Sequence, residues 1–145
     1  MKNRNCVNCG TRNGMMRFEN ETFTIRHEEF ATQVRGLSGW RCRACEEVEF
    51  DPQSAMQYAA ASDALVLKAR EHTQHEIRRI RKKLHLSQAQ AARLTGGGHN
   101  AFSRYESGQA MPVAAVVNLL KLLDLRPELL NVLVQPHEIE LQLHE

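Results

Sequence analysis

Two Cys-x-x-Cys pairs, Cys6-Val7-Asn8-Cys9 and Cys42-Arg43-Ala44-Cys45, account for every cysteine of this 145-residue chain, and 32 residues (10–41) lie between them. A turn of this kind aims two sulfurs to the same side. Two such turns brought together make a tetrahedral set of four thiolates, which zinc fills at about 2.3 Å per bond. The separation exceeds the ~15–20 residues of the common ribbon and leaves room for a hairpin or two. A catalytic metal keeps a position open for water, and four thiolates leave none. The expectation is therefore one structural Zn2+ per chain, held by Cys6, Cys9, Cys42 and Cys45. A redox switch is the rival reading, and two disulfides fit poorly with a reducing compartment. Zinc would also stand in for a core, because so small a fragment with few aromatics buries little surface. His27 is expected at the surface rather than among the ligands. Trp40, two residues before Cys42, is expected to pack beside the metal knuckle, with an exposed partner-binding face as the alternative.

Charge narrows the class further. Residues 68–104 hold nine Lys/Arg against two Asp/Glu, whereas 1–67 hold eight against nine and 105–145 two against six. One central basic block of this kind neutralises phosphates and releases counterions, the footprint of a nucleic-acid binder; a solvated basic helix face is the plainer alternative. No apolar run approaches the ~20 residues of a membrane-spanning helix, and no apolar segment follows Met1-Lys2-Asn3-Arg4-Asn5, so neither a membrane span nor a secretory signal is expected and the location expected is cytoplasmic.

The texture of the chain changes part-way. Stretches 21–25 and 30–34 read as short strands held by turns. From Asp51-Pro52 onward the sequence reads as helical, with an Ala-rich helix and connector over 54–69 and four or five short helices beyond. The expected fold is α+β in two small domains, a β-rich zinc-bound domain over 1–69 and an all-α domain over 70–145. The tail 135–145 is expected to fray.

Within the helical half, Ile77, Ile80 and Leu84 fall at i, i+3 and i+7, so about 75–84 forms a helix with one buried stripe and Arg78, Arg79, Arg81, Lys82 and Lys83 on its other faces. Leu86-Ser87-Gln88-Ala89-Gln90 reads as a helix start, with Ser87 as N-cap, Gln90 closing a capping box and Leu86 as a staple toward Ala91. Gly96-Gly97-Gly98 then turns the chain into a third helix from about His99. Phe102 and Tyr105 face inward there, Asn100, Ser103, Arg104 and Ser107 line the opposite face, and Gly108 supplies a left-handed stop. Helix, glycine turn and short polar-faced helix make a helix-turn-helix. Asn pairs bidentately with adenine and Arg with guanine, so Asn100 and Arg104, four residues apart, are the expected base readers. Ser87, Gln88, His99, Ser103, Ser107, Arg78, Arg81 and Lys82 are the expected phosphate or supporting contacts. The glycine triplet lacks both the Lys-Ser/Thr ending and the preceding strand of a nucleotide loop. After Met111-Pro112, Val116, Leu119, Leu120 and Leu123 mark an apolar helix. Leu125, Leu129, Leu130 and Leu133 offer surplus apolar surface, which points to a homodimer that sets two recognition helices on a palindrome.

Two segments together carry a family resemblance. Gly36 through Glu47, around Trp40-Arg41-Cys42-Arg43-Ala44-Cys45, resembles the second zinc knuckle of the MqsA (YgiT-type) antitoxins. Arg81 through Gln88, and Gly96-Gly97-Gly98-His99-Asn100-Ala101-Phe102-Ser103-Arg104-Tyr105-Glu106, resemble their Xre-type helix-turn-helix. The resemblance implies a zinc domain that neutralises a ribonuclease toxin and a five-helix, Xre/Cro-like C-terminal domain that dimerises. The dimer would repress its own operon on double-stranded DNA, with zinc on the four cysteines and base contacts from Asn100 and Arg104. A stand-alone zinc-containing helix-turn-helix regulator without a toxin is the alternative. An enzyme is not expected: no paired carboxylates, no nucleophile-base pair and no open metal site stand out, and the seven histidines are scattered.

Overall fold

The computed structural model describes residues 4–134. In chain order come β1 (Met15–His27), β2 (Phe30–Cys42), β3 (Val48–Phe50), α1 (Pro52–Lys83), α2 (Gln88–Leu94), α3 (Ala101–Glu106), α4 (Ala114–Leu125), a 3-10 turn (Pro127–Leu129) and α5 (Leu130–Val134). The class is α+β: an antiparallel sheet followed by helices. The chain divides into two compact units between Ala69 and Arg70. The tail 135–145, expected to fray, lies outside the described residues.

In the first unit β1 and β2 form one long hairpin, with Met15 opposite Cys42 at one end and His27 opposite Phe30 at the other. Both strands reach well beyond the segments 21–25 and 30–34 read from the sequence. Register shifts around Glu21 reset the inside-outside alternation, so the period of two that holds over residues 21–27 does not extend back to Met15. β3 was not foreseen; its three residues are too few to carry a pattern. They pair with β2 closely enough that a Cβ on Gly39 would lie 2.3 Å from the Glu49 carbonyl oxygen, which makes glycine obligatory there. Phe18, Phe23 and Phe50 gather on one side of the sheet with Tyr58 of α1, at ring-centroid separations of 4.9 Å (Phe23–Phe50) to 6.4 Å (Phe23–Tyr58). The guanidinium of Arg41 lies 5.1 Å from the Phe18 ring centroid. The buried Ser54 hydroxyl accepts a bond from the Ser38 amide (2.9 Å), and Arg17 grips Asp51 with two bonds, so the start of α1 is fixed to the sheet. This unit therefore has more core than its own strands supply, because α1 contributes to it.

The separate helices expected over 54–69 and 75–84 are one helix of 32 residues. Residues 70–75 contain no Gly or Pro, so nothing between the two segments breaks the hydrogen-bond ladder. α1 ends in a Schellman motif: the amides of Leu86 and His85 return to the carbonyls of Arg81 and Lys82, with His85 in the left-handed region (φ 55°) that glycine usually fills. The second unit closes over Ile77, Ile80, Leu84, Ala91, Ala92, Phe102, Val116, Leu120 and Leu123, with Leu86 and Tyr105 packed against that cluster. The capping box is formed as expected: the Gln90 amide donates to Ser87 Oγ (3.1 Å) and the Ser87 amide to Gln90 Oε1 (2.8 Å). Gly108 takes the left-handed conformation (φ 78°) that stops α3. Among the described residues no helix is long and apolar enough to cross a membrane.

Candidate metal centre and candidate nucleic-acid interface

The two cysteine knuckles share one backbone design. In each, an amide four residues on returns to the first cysteine's carbonyl (Gly10 to Cys6, 3.0 Å; Glu46 to Cys42, 3.0 Å), and the residue after the second cysteine is left-handed (Gly10, φ 73°; Glu46, φ 62°). The Arg43 amide donates to the Gly14 carbonyl (2.9 Å) and ties one knuckle to the other. The four sulfurs consequently lie within 4.8 Å of one another. Two opposite edges of that set, Cys6–Cys45 and Cys9–Cys42, each measure 3.7 Å. A tetrahedron with sulfur at about 2.3 Å from its centre has edges of about 3.8 Å, so the spacing suits a zinc-sized ion and is far longer than the ~2.05 Å of a disulfide. Cys6 and Cys42 are buried while Cys9 and Cys45 are exposed, and Trp40 packs against the Cys6–Met15–Cys42 cluster. Guanidinium groups of Arg4 and Arg17 lie over that indole at 5.1 and 5.7 Å. His27 is at the opposite end of the hairpin from the cysteines.

The thiols differ in acidity. The Thr11 hydroxyl and backbone bring Cys9 down to about 6, and the backbone amides of Cys45 and Ala44 also lower Cys42. Although the Glu47 backbone favours its thiolate, partial loss of hydration and the neighbouring sulfurs push Cys45 up to about 11. Four thiolates this close repel one another, and a divalent cation among them supplies the compensating charge. With four sulfurs on the ion no coordination position is left for water, so the chemistry such an ion supplies here is structural.

In the second unit α3 begins at Ala101, later than the His99 expected, because His99 and Asn100 complete the turn after the glycine triplet. Asn100 stands at the N-cap without a side-chain capping bond, and its Oδ1 lies 2.8 Å from His99 Nδ1. His99, Asn100, Ser103, Arg104 and Ser107 are all exposed. His99, Asn100, Arg104 and Tyr105 border a cleft of about 510 Å³ that continues to Met111. Asn100 and Arg104 thus occupy one outer edge of the helix-turn-helix, opposite the fully buried Phe102.

The basic block is smaller than its sequence count. Arg81, only 12% exposed, turns inward to bond Glu106 with two nitrogens and the Leu86 carbonyl with a third. Gln88 donates to the same carboxylate (3.0 Å). Burial opposes ionisation of Glu106, yet Arg81 and Gln88 hold its carboxyl below the usual range. Arg79 and Lys83 are paired with Asp124 of α4. Of the five cations near the end of α1, Arg78 and Lys82 are the two without an ion pair among the described residues. Ser87 is occupied as a cap, as noted above. Glu106, which locks α3 to α1 and α2, was missed in the sequence; its signal was a carboxylate four residues after Phe102, on the inward side of a short helix.

Residues 4–134 match a family model described as the antitoxin component of the bacterial toxin-antitoxin system, MqsA. The chain is also 39% identical over 102 residues to the antitoxin MqsA of Escherichia coli (strain K12), an alignment covering 69% of this chain and 78% of that one. With a match that runs through both the cysteine knuckles and the helix-turn-helix, the chain belongs to the MqsA antitoxin family.

Proposed function

We propose that this protein neutralises a ribonuclease toxin through its zinc-bound residues 1–69 and, as a homodimer through residues 70–145, represses its own operon in the cytoplasm by reading a palindromic DNA site. It acts by binding rather than by catalysis. Asn100 and Arg104 read base edges, most directly adenine and guanine, while Arg78, Lys82, Ser103 and Ser107 approach phosphates. Arg81, Gln88 and Ser87 support from within: the first two hold Glu106 and the third caps α2. Cys6, Cys9, Cys42 and Cys45 hold one Zn2+, which substitutes for apolar core at the knuckle end of the sheet.

The observation that carries the DNA reading is the exposed Asn100–Arg104 edge on a helix whose other side is fixed by Phe102 and the Arg81–Glu106 pair. A dimer is supported by Leu122, Leu125, Leu129, Leu133 and Val134, apolar side chains left exposed along α4, the 3-10 turn after it and α5. Arg104→Ala is expected to cost about 1–3 kcal/mol on the specific site and little on random duplex, measured by competition binding. Equal losses on both would remove Arg104 from base reading. Recovery of the tagged protein from its native cells with a stoichiometric small ribonuclease would establish neutralisation. DNA binding with no such protein would leave a stand-alone regulator.

A further inference from the structure

Asn100 presents a problem for base reading that its neighbour solves. A bidentate contact with adenine needs the amide in one orientation, with Oδ1 accepting from N6–H and Nδ2 donating to N7. An exposed asparagine with no capping bond is free to turn about its last torsion and exchange the two ends, since such sp³–sp² torsions are broad and roughly two-fold. Here Oδ1 lies 2.8 Å from His99 Nδ1. An amide oxygen only accepts, so the ring nitrogen donates and Nδ1 carries the proton. The bond uses one of the two lone pairs of Oδ1. The second lone pair and both Nδ2 hydrogens remain for a base.

The backbone holds this pair in place. Gly98, immediately before His99, accepts a bond from the Ala101 amide (2.8 Å), closing the turn that carries both side chains to the start of α3. Neither ring nor amide is buried, and both border the open cleft beside Arg104. The histidine is thus placed to order the amide without blocking it.

We propose that His99 is a positioning residue for Asn100, fixing its amide as a one-way adenine reader and so setting base specificity at that position of the site. This rests on the DNA-reading function proposed above. His99, expected from the sequence as a phosphate or supporting contact, has in Asn100 Oδ1 a defined group to support.

The test uses the full-length zinc-loaded protein. Randomised duplex DNA is selected against it, and the most enriched duplex is bound by the unaltered protein, His99→Ala, Asn100→Ala and the double variant. Asn100→Ala is expected to weaken binding roughly 5- to 100-fold. His99→Ala is expected to weaken it about fivefold and relax the adenine preference, with no further loss in the Asn100→Ala background. His99→Gln, which keeps an N–H donor, is expected to recover most of the binding. Nitrogen-15 spectra of the histidine ring are expected to show Nδ1 protonated. An undiminished His99→Ala effect in the Asn100→Ala background, no effect at all, or an Nδ1 without its proton would each overturn the role of His99 alone. An enriched duplex indifferent to Asn100→Ala would remove the base-reading assignment beneath it, and the absence of any enriched sequence would remove the DNA-reading function itself.

Discussion

The knuckle end of the sheet and the helical unit solve the same problem by different chemistry. Around the cysteines the buried set is Cys6, Met15 and Cys42 with Trp40 alongside, whereas the helical unit buries nine residues in one apolar cluster around Phe102. The first arrangement concentrates its stability in one ion-sized space between four sulfurs; the second spreads it over many packed side chains. The difference teaches where each unit is vulnerable: the knuckles to loss of a single ligand or of the metal, the helices to a buried polar group left without its partner.

Cys42→Ser should sharpen that contrast most. Structural zinc is worth on the order of 10 kcal/mol, so losing a buried ligand is expected to raise amide exchange across residues 4–15 and 42–50 to near-unprotected rates while 77–123 stay protected. Unchanged protection of the knuckles would break the comparison outright. Next, Glu106→Gln leaves the Arg81 guanidinium buried without its counter-charge and is expected to cost about 3 kcal/mol in chemical denaturation of the helical unit. Because Glu106 is held below its ordinary 4.5, its contribution is complete above about pH 4.5 and is lost as the pH falls further. That part of the acid dependence should vanish in Glu106→Gln, and an identical profile in both proteins would show that the pair is not the weak point. Smallest, His85→Gly relieves a left-handed residue at the end of α1 and is expected to gain between a few tenths and 1 kcal/mol; a loss in thermal midpoint would mean that the His85 side chain is itself a contact.

The two regions also differed in how much of them the sequence revealed. Spacing alone identified Cys6, Cys9, Cys42 and Cys45 as a set, because a metal knuckle is a local motif repeated, and the sulfurs do converge. The Ser87 capping box and the Phe102 stripe were legible for the same reason: each is decided within one or two helical turns. What stayed hidden depended on contacts across the chain. β3 exists only because β2 is there to pair with it, and the join of 54–69 to 75–84 into one helix appears only as the absence of a breaker. The inward turn of Arg81 is set by Glu106, 25 residues away. Counting charges placed Arg81 among the phosphate or supporting contacts; its bonds to Glu106 favour the supporting part.

Trp40 is the chain's single tryptophan, with the guanidinium groups of Arg4 and Arg17 over its ring and the cysteine cluster packed against it. Its fluorescence therefore reports from one address only, at the mouth of the metal knuckle. A stopped-flow trace of that emission after adding a chelator would time the opening of the first unit with no label attached, and a simultaneous anisotropy signal from labelled DNA would show whether the second unit hears of it.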